Sequence, residues 1–228
     1  MSTNINDMES LEENIITCRK CPRLVAWREE VTRVKRKSFM DWKYWGKPVP
    51  GFGDHRARVL VVGLAPGAHG SNRTGRMFTG DGSGDFLFPA LYNAGFSSQP
   101  DSISLNDDLV LKDLYLTAIC RCVPPGNRPD KLEIQNCKEY LVKEIKLINP
   151  KVLVALGKIA FDGLKETFPG IKSNSTFIHG AVYQINDRQT LVCSYHPSRQ
   201  NTQTGRLTKE MFAQVWKKVS LLVYDKDD

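Results

Sequence analysis

Six cysteines, a histidine-proline-serine run and a glycine-rich loop ending in aspartate are the parts of this 228-residue chain whose types and spacing can do chemistry. Cys18 and Cys21 form a CxxC pair, and with Cys122 and Cys137 they make a four-thiolate metal site available. Spacing alone leaves a zinc ion and a four-iron cluster equally open. Cys120 stands two residues before Cys122 and is its rival as a ligand; Cys122 is favoured because it ends an apolar run where the chain turns into Pro124-Pro125. Cys120 and Cys193 lie inside apolar runs and read as packing residues. Such a metal would be structural, tying an amino-terminal helix to a loop about a hundred residues on.

The second set is made of groups that stabilise developing charge. Asp81 ends the run GLAPGAHGSNRTGRMFTGD (63–81) and supplies a carboxylate. Asp85 competes with it, and helix capping is the other duty open to both; Asp85 is the expected cap. His196 opens the HPS run and can donate a hydrogen bond to an oxygen gaining negative charge. Asn127 in PPGNR offers a donor and an acceptor, with turn formation as its alternative. Phe78 supplies a flat face for a planar ligand, or else a core side chain.

These residues must be positioned by a scaffold, and the hydrophobic pattern supplies one. Four apolar runs, 58–62, 114–119, 151–156 and 190–194, read as buried strands, and helical patterns cover 8–30, 84–95, 130–148, 157–168 and 207–222. Alternating strands and helices predict an α/β fold, a three-layer α/β/α arrangement with a four-stranded parallel sheet, forming one domain over 1–228. The chemistry-bearing loops 63–85, 122–130, 157–158 and 195–207 then follow the strands, where ligands collect in open α/β sheets. The CxxC pair is placed on the first helix, and 31–57 reads as a basic, aromatic connector.

Composition narrows the partners. The formal net charge is +7, from 32 Lys and Arg against 25 Asp and Glu, and Arg28, Arg33, Lys35, Arg36, Lys37, Lys43 and Lys47 carry much of it, which points to a phosphate backbone. No apolar run is long enough to span a bilayer, and the polar, acidic start of the chain lacks signal-peptide order, so a cytoplasmic protein is expected. A monomer is the default expectation.

Taken together, CRKCPRL (18–24), YWGKPVPGFGD (44–54), GLAPGAHGSNRTGRMFTGD (63–81), CVPPGNRP (122–129) and HPSRQNTQTGRL (196–207) resemble the family 5, type-b, uracil-DNA glycosylases of bacteria and archaea. The resemblance runs from Cys18 to about Leu207. It implies the uracil-glycosylase fold, and it implies a [4Fe-4S] cluster on Cys18, Cys21, Cys122 and Cys137 in place of zinc. It further implies action on DNA containing uracil or other deaminated bases, hypoxanthine among them. The sister type-a class carries Glu where Leu64 stands and Asn where Ala118 stands, so the carboxylate must be sought elsewhere.

On this reading a base leaves the duplex and enters a pocket before its bond to the sugar is cut. Phe78 would stack on it, Asp81 would stabilise the sugar cation and orient water, His196 would meet the charge on the departing base, and Asn127 would hold a water or base edge. The resemblance carries a donor set from the amides of Gly67, Ala68 and His69, with the small Ala68 leaving room for bulky bases. Ser198, Asn201, Thr204 and Arg206 would grip phosphates and enter the minor groove. The rival from another class is a noncatalytic nucleic-acid-binding module with a structural four-cysteine zinc site. A nucleotide-binding enzyme built on GDGSG (80–84) is disfavoured, because neither a P-loop nor a dinucleotide fingerprint follows the first strand.

Overall fold

The structure, a computed structural model, describes residues 3–224. In chain order its elements are α1 (Thr3–Ile16), α2 (Pro22–Val34), β1 (Phe52–Gly53), β2 (Val59–Gly63), α3 (Ser71–Thr74), α4 (Gly84–Asn93), β3 (Leu114–Ala118), α5 (Lys131–Ile148), β4 (Val152–Leu156), α6 (Lys158–Thr167), β5 (Val182–Gln184), β6 (Thr190–Ser194), α7 (Arg199–Gln203) and α8 (Lys209–Tyr224).

The four apolar runs become β2, β3, β4 and β6, buried along their whole length. Complete burial requires cover on both faces, and alternate side chains supply it. Val59, Val61, Val152 and Val154 point into one core with Leu87, Phe88 and Leu91 of α4 and Phe212, Val215 and Trp216 of α8. Leu60, Val62, Leu153 and Ala155 point the other way, onto α1, α5 and α6. The strand order is β1-β3-β2-β4-β6-β5, and β3, β2, β4 and β6 run parallel in register. The predicted parallel sheet is therefore the centre of a six-stranded one. The short strands β1 and β5 add antiparallel edges that two or three residues could not announce by periodicity.

One predicted helix is divided. The pattern over 8–30 breaks into α1 and α2, so Cys18 and Cys21 stand at the break and not on a helix. Pro22 is the cause: it occupies the first turn of α2, and the residue before a proline is pushed out of helical geometry, as Cys21 is at φ −115° and ψ 94°. Among the described residues no helix is long and apolar enough to cross a membrane.

Candidate active site and cysteine cavity

The loop after β2 and the loop after β6 meet at Phe78 and His196, whose rings stack with centroids 6.1 Å apart and planes 29° from parallel. Phe78 lies over the end of β2, where a Cβ on Gly63 would come within 2.6 Å of its Cζ. Its backbone is left-handed at φ 54°, a conformation costing roughly 1–2 kcal/mol outside glycine that surrounding packing must enforce. His196 is held from below by Gly157, whose missing Cβ would stand 3.2 Å from the His196 Cβ, and by Asn201, whose side-chain amide donates to the His196 carbonyl at 2.9 Å. Neither ring nitrogen has a protein partner among the described residues. Burial pulls its pKa down to about 4, so the ring is neutral near pH 7 and carries one N–H donor.

Asp81 divides its carboxylate between two tasks. Oδ1 accepts the backbone N–H groups of Ser83 at 3.0 Å and Gly84 at 3.2 Å, closing the turn into α4. Oδ2 faces the Gly67–Gly70 turn: a Cβ on Gly67 would lie 2.7 Å from it, and one on Gly70 closer still. Burial raises the Asp81 pKa, the two backbone donors and Arg73 oppose that rise, and Asp85 adds to it. The cap expected of Asp85 belongs to Asp81, because the side chain that precedes the helix can reach back-facing amides, whereas Asp85 lies exposed within the first turn of α4. Asp81 and the Gly67–His69 turn thus meet. The amides of Gly67, Ala68 and His69 have no protein acceptor among the described residues. The His69 ring pairs through Nδ1 with the Tyr44 hydroxyl at 3.1 Å, and burial with Arg36 and Arg73 nearby lowers its pKa.

The other expected site residues make contacts of their own. Asn127 is exposed in a tight turn at φ 56°, bonded through its amide to the Pro124 carbonyl, and among the described residues no hydrogen bond joins it to Asp81 or His196. Ser198 caps α7, accepting the Asn201 amide at 3.4 Å. Arg206 is exposed and lies 4.7 Å over the Tyr195 ring. Arg199, not singled out from the sequence, crosses to the first loop, where a Cβ on Gly82 would come within 2.7 Å of its Nε. Nothing in its local sequence marks that contact, which depends on the sheet bringing two distant loops together.

On the other side of the strand ends, Cys18, Cys21, Cys122 and Cys137 line one small cavity with Arg28 and Tyr140. Cys120, fully buried in the core under α5, does not line it. Arg28 is buried, makes no ion pair among the described residues, and donates to Cys122 Sγ at 3.0 Å and the Cys18 carbonyl at 3.3 Å. Asn136 donates to Cys21 Sγ at 3.4 Å. Among the described residues no three His, Cys, Asp or Glu side chains form a group that could hold one metal ion.

The comparisons with known proteins agree on one family. The model of the uracil DNA glycosylase superfamily matches residues 50–220. A type-5 uracil-DNA glycosylase of Thermus thermophilus is 54% identical over 210 residues, covering 92% of this chain and 95% of that protein. A type-5 uracil-DNA glycosylase of Pyrobaculum aerophilum is 44% identical over 90% of this chain and 89% of its own length. The type-4 enzyme of the same archaeon is 30% identical over 84% of this chain and 83% of its own.

Proposed function

The chain belongs to the uracil-DNA glycosylase superfamily, and from that membership we propose how its residues release uracil from DNA. It is a DNA-repair hydrolase acting on the bond between the base and deoxyribose; the alternative of a noncatalytic zinc module finds no support among its relatives. The observation that carries the mechanism is that one loop, after β2, supplies both Phe78, stacked on His196, and Asp81, which faces the turn holding the unbonded amides of residues 67–69.

The flipped uracil stacks on Phe78. The C–N bond to the sugar breaks with its electron pair leaving on the base, and the neutral His196 N–H and the loop amides meet the negative charge that develops there. The sugar is left with oxocarbenium character, which the Asp81 carboxylate stabilises. Water adds to the sugar and gives a proton to Asp81, whose buried setting raises its basicity, and that proton balances the departing base. Ser198, Asn201, Thr204 and Arg206, with Arg199, are read as phosphate and groove contacts. The small Ala68 extends the proposal to hypoxanthine, and Asn127 is read as closing over the base from its surface turn.

Cys18, Cys21, Cys122 and Cys137 are proposed to hold a [4Fe-4S] cluster. A buried guanidinium without a carboxylate partner suits a set of thiolates, since an unpaired buried cation is costly. When bound, the cluster supplies iron–thiolate cross-links and no step of the cleavage. A single domain acting as a monomer in the cytoplasm completes the reading.

The test is cleavage of duplexes carrying one uracil or one hypoxanthine by the parent, Asp81→Asn and His196→Gln. The expected result is uracil release by the parent and a fall of about 10²-fold or more in each variant, the scale seen when one charge-stabilising group is removed. Parent-like rates in either variant would remove that residue from the mechanism.

A further inference from the structure

The basic, aromatic connector between α2 and β1 supplies two rings to the interior of the loop after β2. Arg73, in α3, is 3% exposed, and its guanidinium lies 4.0 Å from the centroid of Phe39 and 4.0 Å from that of Trp42. Those two rings stand edge to face at 79°, so they form a corner that fixes the guanidinium plane. From it, Nε donates to the His69 carbonyl at 2.7 Å and Nη2 to the Gly80 carbonyl at 3.0 Å. A Cβ on Gly80 would collide with Nη2, so this approach requires glycine, which also accommodates φ 74° there.

The two carbonyls belong to the two sides of the reaction geometry. Gly80 immediately precedes Asp81, and His69 lies in the turn that Asp81 Oδ2 faces. Arg73 makes no ion pair among the described residues, and its Nη1 is buried without a hydrogen-bond partner. A cation so poorly compensated is costly for stability alone, and ring faces return only part of that cost. We propose that Arg73 is a positioning residue that braces Asp81 against the Gly67–Gly70 turn, and that Phe39 and Trp42 of the connector hold the brace. The inference rests on the reading of Asp81 as the carboxylate that orients water.

Single-turnover uracil release and duplex affinity would be measured for Arg73→Ala, Arg73→Lys, Trp42→Leu and Asp81→Asn, with and without millimolar guanidinium. Arg73→Ala is expected to slow release by about ten- to a hundredfold with affinity little changed, because a small misplacement of a reacting group has that effect. Lysine should restore less than half of the logarithmic loss, since an ammonium lacks the fork that spans two carbonyls. Added guanidinium should speed Arg73→Ala and leave Asp81→Asn unchanged, which a merely structural loss would not do. Trp42→Leu, which keeps Arg73 and both of its hydrogen bonds, should slow release by a smaller factor.

Parent-like release by Arg73→Ala overturns the inference, as does a slow Arg73→Ala that guanidinium does not speed. If Arg73→Ala does not fold, Trp42→Leu decides: slowed release at unchanged affinity supports the brace, and the parent rate overturns it. Parent-like release by Asp81→Asn would instead sink the reading of Asp81 on which the inference stands.

Discussion

Burial holds the His196 imidazole at a pKa of about 4, well below the ordinary histidine value near 6.5. Between those values the unfolded chain binds a proton that the folded one refuses, so stability falls as pH drops through this window and levels off below it. Replacing His196 with Gln removes the group. The difference between urea midpoints at pH 5 and pH 7 should therefore shrink in His196→Gln, and an unchanged difference would contradict a buried neutral ring. Phe78 raises a separate question, because its ring and its backbone pull in opposite directions. Phe78→Ala and Phe78→Gly both lose the stacking face and should lose uracil release alike, by about 1–3 kcal/mol per stacked base. Glycine alone relieves the left-handed backbone at φ 54°, so Phe78→Gly should be the more stable of the two by about 1 kcal/mol in urea unfolding. Equal stabilities would show that the loop gives way around the residue.

At the scale of elements, the turn into α4 is closed by Asp81, the residue proposed to stabilise the sugar cation. Asp81 Oδ1 receives the Ser83 and Gly84 amides, so loss of the side chain removes a cap as well as a carboxylate. Asparagine caps about as well as aspartate, and alanine forfeits about 1 kcal/mol. Asp81→Asn should thus melt near the parent and Asp81→Ala several degrees lower, while both lose cleavage; matching melting temperatures would put the cap elsewhere. This double duty explains why the sequence was ambiguous between Asp81 and Asp85: glycine, aspartate and serine crowd 80–85, and composition does not say which carboxylate points back. The central strands were legible because each is a compact apolar run buried on both faces. The edge strands and the division of α1 from α2 were not, since the first depend on a neighbour for their hydrogen bonds and the second on one proline inside a continuous helical pattern. His196 and Phe78 could be picked out by their loops, but their stacking, the crossing of Arg199 and the surface position of Asn127 arise only when the sheet sets the loops side by side.

Over the whole molecule, the cysteine cavity lies where three stretches distant in sequence converge: the α1–α2 break, the loop after β3, and α5. What it would secure is α2 and the connector that follows, because the sheet has its own two cores and needs no cross-link. The connector in turn grips the loop after β2, with the Trp45 amide donating to the Arg73 carbonyl at 2.9 Å and the Gly46 amide to the Asn72 carbonyl at 3.0 Å. A missing Cβ on Gly46 seats it against Thr32 of α2, so movement of that helix passes to the loop through close contacts. A Cys21→Ala variant should therefore lose amide-exchange protection over 22–47 and then 67–80, while β2, β3, β4 and β6 keep theirs, as expected when one cooperative unit opens before the rest. Uracil release should fall in step with the loss over 67–80. Uniform loss of protection would mean that the cavity supports the whole fold, and full protection with normal cleavage would mean that the cysteines hold nothing the molecule needs. Only the graded pattern ties the cysteine cavity to uracil release through the connector.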